Sequence, residues 1–266
     1  MKSIAILCVN YNSYDELYHY LDSISTSVMQ AGSSCMTKVF IADNSTTGIR
    51  DIDQAYAGLS IKSYRTGNLG YFGGISYLMK HNDMSMYDYV IISNVDIQIQ
   101  TDMLARLSTA EYDDSIAWIA PRIWSKLEGR DRNPKVSRRY PKRKLNILRT
   151  LFRYPILYFL YTHSLYKRKK IAQSPPAAKQ IYAGHGSFII LTRQYIQKCG
   201  IIDYPVFLFG EEIYLAEEIM KQNLTVHYDP SLCVNDMEHA STGQMLRKSY
   251  CKYNYDALTY ILRKYY

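Results

Sequence analysis

The sequence predicts an α/β fold, a Rossmann-like and mostly parallel central sheet flanked by helices. Three observations carry that expectation. Unbroken apolar runs recur through the first 120 positions, as in strands covered on both faces. Segments of helical period separate those runs, which implies parallel strands joined by crossovers. Several runs end abruptly in Asn, Asp or Ser, where open α/β sheets carry their ligands.

Residues 3–9 form the first such run and read as a buried strand. A helix follows from about Tyr14: Ser13 and Glu16 have capping-box spacing, and Leu17, Leu21 and Ile24 share a face. Residues 38–42, 61–64, 89–93 and 116–120 are further strands. The polar clusters Asn10 to Asn12, Asp43 to Ser45 and Asn94 to Asp96 each follow a strand and should converge on one sheet edge. After Pro175-Pro176 the regular pattern returns. Residues 187–191 read as a strand and 193–199 as a short helix. Residues 211–222 are a helix with Ile213, Ala216 and Met220 on one stripe, and 225–228 are a strand. A Tyr-rich amphipathic helix spans about 243–265. No internal repeat is present. The chain divides at 1–120, 121–180 and 181–266.

Composition bounds the function. A chain of 266 residues that is 47% apolar can bury a sizeable core and is not disordered. Five cysteines, an odd number without metal-knuckle spacing, are expected to be free thiols in a reducing, cytoplasmic setting. The N-terminal apolar run is too short for a signal peptide, and no stretch reaches the length of a transmembrane helix.

Charge is concentrated. Residues 122–170 hold 16 of the 32 Lys and Arg and only Glu128 and Asp131 as acids, so this segment carries +14 and the rest −6. Within it, residues 147–165 are apolar and aromatic, between Lys142-Arg143-Lys144 and Lys167-Arg168-Lys169-Lys170. That composition suits an element lying on an anionic membrane surface. An ordinary helix packed on the core with solvated charged ends is the plainer alternative. No recognised nucleic-acid motif accompanies the patch, so no nucleic-acid partner is expected.

Four constellations carry chemistry. Asp96, in Asn94-Val95-Asp96, is a carboxylate at the end of a buried strand, a place to hold Mg2+ or Mn2+ on a diphosphate; taken alone, a simple turn is the plainer reading. Gly67-Asn68-Leu69-Gly70, continuing to Gly73-Gly74, lets backbone approach a phosphate or sugar, or serves only a loop of positive φ. Glu211 and Glu212 open a helix after Phe207-Leu208-Phe209-Gly210; either is a candidate general base, and helix capping is the bland reading. His185 and His239 are each either structural or ligands.

Taken together these motifs resemble family 2 glycosyltransferases, especially the rhamnosyltransferase-like bacterial branch with the GT-A fold. The resemblance runs from about Ser3 to Ser241. It rests on Val9-Asn10-Tyr11-Asn12, Asp43-Asn44-Ser45, Asn68-Leu69-Gly70 with Gly73-Gly74, Asn94-Val95-Asp96, Gly184 to Leu191, Glu211-Glu212 and His239-Ala240-Ser241. Val95, Ser76 and Glu212 stand where that family more often has Pro, Asn and Asp.

The resemblance implies roles. Asp43 would bind the nucleobase of a UDP- or dTDP-sugar, beside the backbone of Val9, Asn10 and Tyr11. Asn68, Gly70 and Gly74, with Asn94 and His185, would shape the donor pocket. Asp96 would hold Mg2+ or Mn2+ with help from His239. Glu212 would be the catalytic base. The expected reaction is a single inverting displacement onto a hydroxyl of a glycan acceptor, lipid-linked at the inner face of the membrane, in bacterial capsule, O-antigen or similar polysaccharide synthesis. Residues 1–120 would be the donor lobe, 121–180 a membrane-surface insert and 181–266 the acceptor lobe. A sugar-phosphate nucleotidyltransferase is the competing enzyme class, and the first turn lacks its expected Lys or Arg. A silent membrane-associated scaffold is the non-enzyme alternative.

Overall fold

Successive side chains of β1 (Lys2–Asn10) are buried on opposite faces of the sheet, and this explains its unbroken apolar run. Ile4, Ile6 and Cys8 face the helix α1 (Tyr14–Ala31), packing with Leu17, Leu21 and Ile24. Ala5 and Leu7 face the other way, toward Phe72, Ile75 and Leu78 of α2 (Tyr71–His81). Both faces of the strand are covered, so both parities are apolar. The computed structural model describes residues 1–52, 55–162, 177–237 and 246–266.

The remaining strands extend one sheet. They are β2 (Cys35–Asp43), β3 (Ser60–Arg65), β4 (Tyr89–Asn94), β5 (Ile97–Ile99), β6 (Ile116–Ser125), β7 (Arg130–Asp131), β8 (Lys179–Ile181), β9 (Phe188–Thr192) and β10 (Thr225–Asp236). The order is β3-β2-β1-β4-β9-β6-β10-β5, with β7 on β6 and β8 on β10. One half, β3-β2-β1-β4, is parallel as expected. The other half is mixed: β9 inserts antiparallel between β4 and β6, and β10 runs parallel to β6 but antiparallel to β5 and β8. A strand buried on both faces reads the same in either direction, so the reversal at β9 has no mark in its residues.

Helices α1 and α3 (Met103–Thr109) cover one face. Helices α2, α6 (Arg193–Lys198) and α7 (Glu211–Lys221) cover the other. Helix α8 (Arg247–Tyr265) packs on α4 (Lys142–Arg153) through Leu145, Leu258, Ile261 and Leu262. A short α5 (Pro155–Leu160) follows α4, so the apolar stretch from 147 is two helices rather than one as far as it is described. Its end, residues 163–165, and Lys167 to Lys170 lie outside the described residues. No helix of the described residues is long and apolar enough to cross a membrane.

Three local expectations are corrected. Ser13 stands at the N-terminus of α1 but makes no side-chain cap, and its hydroxyl instead donates to the Tyr11 carbonyl at 3.3 Å. Glu16 therefore has no capping partner and turns to the cleft described below. On α7 the buried stripe is Tyr214, Leu215 and Ile219, with Ala216, whereas Met220 is exposed. Finally, β10 runs eight residues beyond Tyr228, through a bulge between Asp229 and Cys233 that the polar Asp229-Pro230-Ser231 disguises as a turn.

Candidate active site

Three parallel strands end side by side. Asn10 of β1 pairs in register with Asp43 of β2, and Val9 with Asn94 of β4. Their carboxyl ends open into a cleft of about 620 Å³. Of the residues singled out in the sequence, Val9, Tyr11, Asn68, Gly70, Asn94 and Asp96 line it from this side. His185, Glu211 and Glu212 line it from the other. Asn10, Asp43 and Gly74 lie behind the wall, and His239 lies outside the described residues.

The Asn and Asp residues at the ends of β1 and β2 form a buried brace. Asp43 accepts from the Asn10 amide at 3.0 Å, the Tyr14 hydroxyl at 2.6 Å and the Ser45 backbone N–H at 3.2 Å. These bonds fix the angle at which α1 leaves the sheet. Gly74 acts by being small: a Cβ there would stand 2.9 Å from Val9 Cγ2, so glycine lets α2 lie close to β1.

Gly70 joins the two sides of the cleft. Its carbonyl accepts from the Asn44 amide at 2.9 Å, and its N–H donates to the Asn68 carboxamide oxygen at 3.2 Å. Its φ is +75°, and a Cβ would lie 2.2 Å from the Phe207 carbonyl oxygen. Only glycine tolerates both the angle and the approach. The next residue, Tyr71, donates its backbone N–H to that same Phe207 carbonyl at 3.3 Å. The Tyr71 hydroxyl donates to the Gly186 carbonyl at 2.9 Å, and the Gly186 N–H donates to Glu212 at 3.3 Å. The glycine-rich segment thus leads by hydrogen bonds to the carboxylate of Glu212. Burial raises the Tyr71 hydroxyl well above its ordinary pKa, helped by the charges of Glu211, Asp96 and Glu212.

The two adjacent acids differ. Glu211 is buried, and burial, then repulsion from Glu212, pushes its carboxyl up to about 8. Glu211 is therefore largely protonated near neutral pH. Glu212 is only half-buried and faces the cleft with its carboxylate.

Asp96 sits opposite, and burial raises its carboxyl above the ordinary range. Hydrogen bonds from its own backbone N–H and from the Asn94 side chain, and the charge of Arg132, oppose that rise. Its carbonyl accepts the Met237 N–H at 3.0 Å, which ties the end of β10 to this point.

His185 is held far below its ordinary pKa by burial and by Lys135, Arg132 and Arg130. Its Nδ1 accepts the Ser187 N–H at 3.2 Å, so the neutral ring carries its proton on Nε2. The His185 backbone N–H donates to Asn133 at 2.7 Å.

Sequence reading missed four charged residues of the cleft: Glu16, Arg132, Lys135 and Asp236. Arg132 is ion-paired with Asp236 and stands 3.8 Å from Glu128. Arg132 and Lys135 look like ordinary cations of the basic insert, yet they supply the cationic charge of a cleft that also holds Glu16, Asp96, Glu211, Glu212 and Asp236. Asp236 gave a signal only through its nearness to the His239 motif.

Among the described residues no three His, Cys, Asp or Glu side chains gather as a metal cluster. A half-buried carboxylate in the wall of a cleft, with its charge disfavoured by desolvation, is nevertheless a hard oxygen donor whose cost a cation would relieve. Asp96 fits Mg2+ or Mn2+, provided ligand oxygens complete the coordination.

No protein-family model matches the sequence, and no curated protein matches it significantly. Solved structures do. The chain superposes on GalNAc-T7 crystallised with UDP, GalNAc and Mn2+ with a TM-score of 0.59 and 10% identity, over 97% of this chain and 50% of that one. It superposes on S. aureus TarS with a TM-score of 0.55 and 13% identity, over 91% of this chain and 37% of that one. For TarS 1-349 the TM-score is 0.51 and the identity 12%, over 87% and 61% of the two chains. This chain therefore spans between about a third and two thirds of the length of these structures. The likeness is one of fold: a central sheet flanked by helices in the GT-A arrangement of glycosyltransferases.

Proposed function

We propose that the chain is an inverting glycosyltransferase, taking a sugar from a UDP- or dTDP-linked donor and placing it on a hydroxyl of a glycan acceptor. The observation that carries this reading is the cleft itself. It brings the Asn94-Val95-Asp96 strand end, the glycine-rich loop and Glu212 together on the GT-A fold. GalNAc-T7 was crystallised with UDP and Mn2+, which supports a nucleotide-sugar donor and a divalent cation here.

Asp96 would hold the cation, with His239, which follows Met237 by two residues in the sequence. The cation, when bound, supplies positive charge to the diphosphate. Arg132 and Lys135 add fixed cationic charge in the same cleft. Glu212 is the base. Its half-buried carboxylate is oriented by the Gly186 N–H and takes the proton from the acceptor hydroxyl. The hydroxyl oxygen bonds to the anomeric carbon as the bond from that carbon to the diphosphate oxygen breaks. The nucleoside diphosphate departs with the electron pair, and one displacement inverts the anomeric centre. Glu211, the more deeply buried of the two, is the less suited to meet an acceptor hydroxyl.

The rhamnosyltransferase-like branch, a lipid-linked acceptor at the inner membrane face and a place in capsule or O-antigen synthesis belong to the same proposal. They rest on the sequence motifs and the basic aromatic insert.

The test is a panel of nucleotide-sugars, with and without Mn2+, read by thermal stabilisation and by the product released. Stabilisation by one donor with release of nucleoside diphosphate is expected. Formation of nucleoside triphosphate and sugar 1-phosphate when pyrophosphate is added to the donor would mark a nucleotidyltransferase instead. No stabilisation by any donor would reject the reading.

A further inference from the structure

Helices α4 and α5 hold their inner side against α8, and among the described residues their outer side is exposed. Leu145 is fully buried on Leu258, Ile261 and Leu262, with Leu148 and Phe152 packed on the same cluster. Arg143, Ile147 and Thr150, at steps of four and three, form the opposite stripe of α4, and all are exposed, as is Tyr154 just beyond its end. On α5, Ile156 is 77% exposed, Leu160 51% and Leu157 45%. Large aliphatic side chains grouped this way in water mark a surface that binds something.

The chemistry around them is one-signed. Helix α4 carries Lys142, Arg143, Lys144, Arg149 and Arg153 and no acid. The start of α8 adds exposed Leu246 and Arg247, whose guanidinium lies 4.5 Å from the Phe159 ring. A row of rings connects this surface to the cleft. Tyr158 lies 4.9 Å from Phe152 and 5.8 Å from Tyr250, and Tyr250 lies 5.0 Å from Phe209, which lines the cleft.

We propose that the outer face of α4 and α5 docks on an anionic lipid bilayer, with Ile156, Leu157 and Leu160 entering the headgroup region and the cations of α4 meeting lipid phosphates. The row of rings then turns the Phe209 side of the cleft toward the membrane, where a lipid-linked acceptor resides. A second copy of this chain fits the face badly, because its own cations would be brought against themselves. RNA would use the cations but leave the aliphatic cluster in water. A bilayer uses both. This deepens the membrane part of the proposed function, but it stands on exposed residues and is independent of what the cleft transfers.

The experiment is co-sedimentation of the full chain with phosphatidylglycerol–phosphatidylcholine vesicles and with phosphatidylcholine vesicles, at rising salt. Binding to the anionic vesicles is expected, weakened about tenfold by neutral lipid or high salt. The double variant Ile156→Glu and Leu160→Glu should lose about tenfold in vesicle affinity with no change in Tm, since neither side chain packs in the core. Replacing Arg143 and Arg149 by Gln should do the same on anionic vesicles only. The inference is overturned by wild-type chain that ignores both vesicles, by variants that bind as tightly as wild type, or by a short RNA that outcompetes the vesicles. Nucleotide-sugar stabilisation, measured on the same variants, should not move. Its absence in the wild type would count against the transferase reading and leave the docking surface standing.

Discussion

The ends of β2 and β4 each carry an aspartate beside the same cleft, and the two are used differently. Asp43 is enclosed by Asn10, Tyr14 and Ser45, which satisfy both of its oxygens from within the protein. Asp96 is half-buried and faces the cleft, and desolvation there raises its carboxyl. Equivalent strand ends therefore differ in setting: one carboxylate holds the sheet and α1 together, and the other faces the open cleft. A carboxylate at a strand end is a brace when protein donors surround it and a binding group when the cleft does.

Substitutions can break or sharpen that contrast. The largest effect expected is at Asp96. Asp96→Asn should abolish Mn2+-dependent stabilisation by the donor and lower transfer by at least about a hundredfold, while Tm holds or rises because a costly buried charge is gone. A Tm loss with donor binding intact would make Asp96 a second brace. Next comes Gly70→Ala, which forces a side chain into a positive-φ position against the Phe207 carbonyl. It should cost about 3 kcal/mol, read by denaturant unfolding, and should loosen the segment that precedes Glu211. Asp43→Ala leaves the Tyr14 hydroxyl and the Asn10 amide without their acceptor, at about 1–3 kcal/mol. The loss in Tm should be roughly 2–4 °C for each kcal/mol at this chain size. An unchanged Tm there would remove the brace from the account.

The smallest effect concerns pH. Glu211 in the folded chain titrates at about 8 against an ordinary 4.5. The folded state thus holds a proton that the unfolded state has released, so stability falls as pH rises from 4.5 through 8. Glu211→Gln should flatten the decline of Tm between pH 6 and 9 and gain most at the alkaline end. A decline that persists unchanged in the variant would show that Glu211 is ionised in the fold.

Much of this was legible in the sequence, for physical reasons. Strands covered on both faces must be apolar throughout, so β1, β2, β4 and β6 announce themselves, and their polar ends locate the cleft edge. Gly70 and the Glu211-Glu212 pair are local signals at a loop and a helix start. What could not be read depends on distant pairing. Glu16 sits at capping distance from Ser13 in sequence, and only the tertiary fold turns it to the cleft. Arg132 and Lys135 look like any other cations of a basic segment until Asp236, a hundred residues away, is brought to Arg132. The insertion of β9 between β4 and β6 is likewise a property of the sheet and not of the strand.

Glu212 is proposed to act on the acceptor and not on the donor. The direct measurement is donor affinity and transfer rate of Glu212→Gln beside the wild type, with the donor found in the nucleotide-sugar panel. The account predicts unchanged donor affinity and a rate lowered by about a thousandfold. A variant that transfers sugar at the wild-type rate, or one that loses rate only by losing the donor, would contradict it.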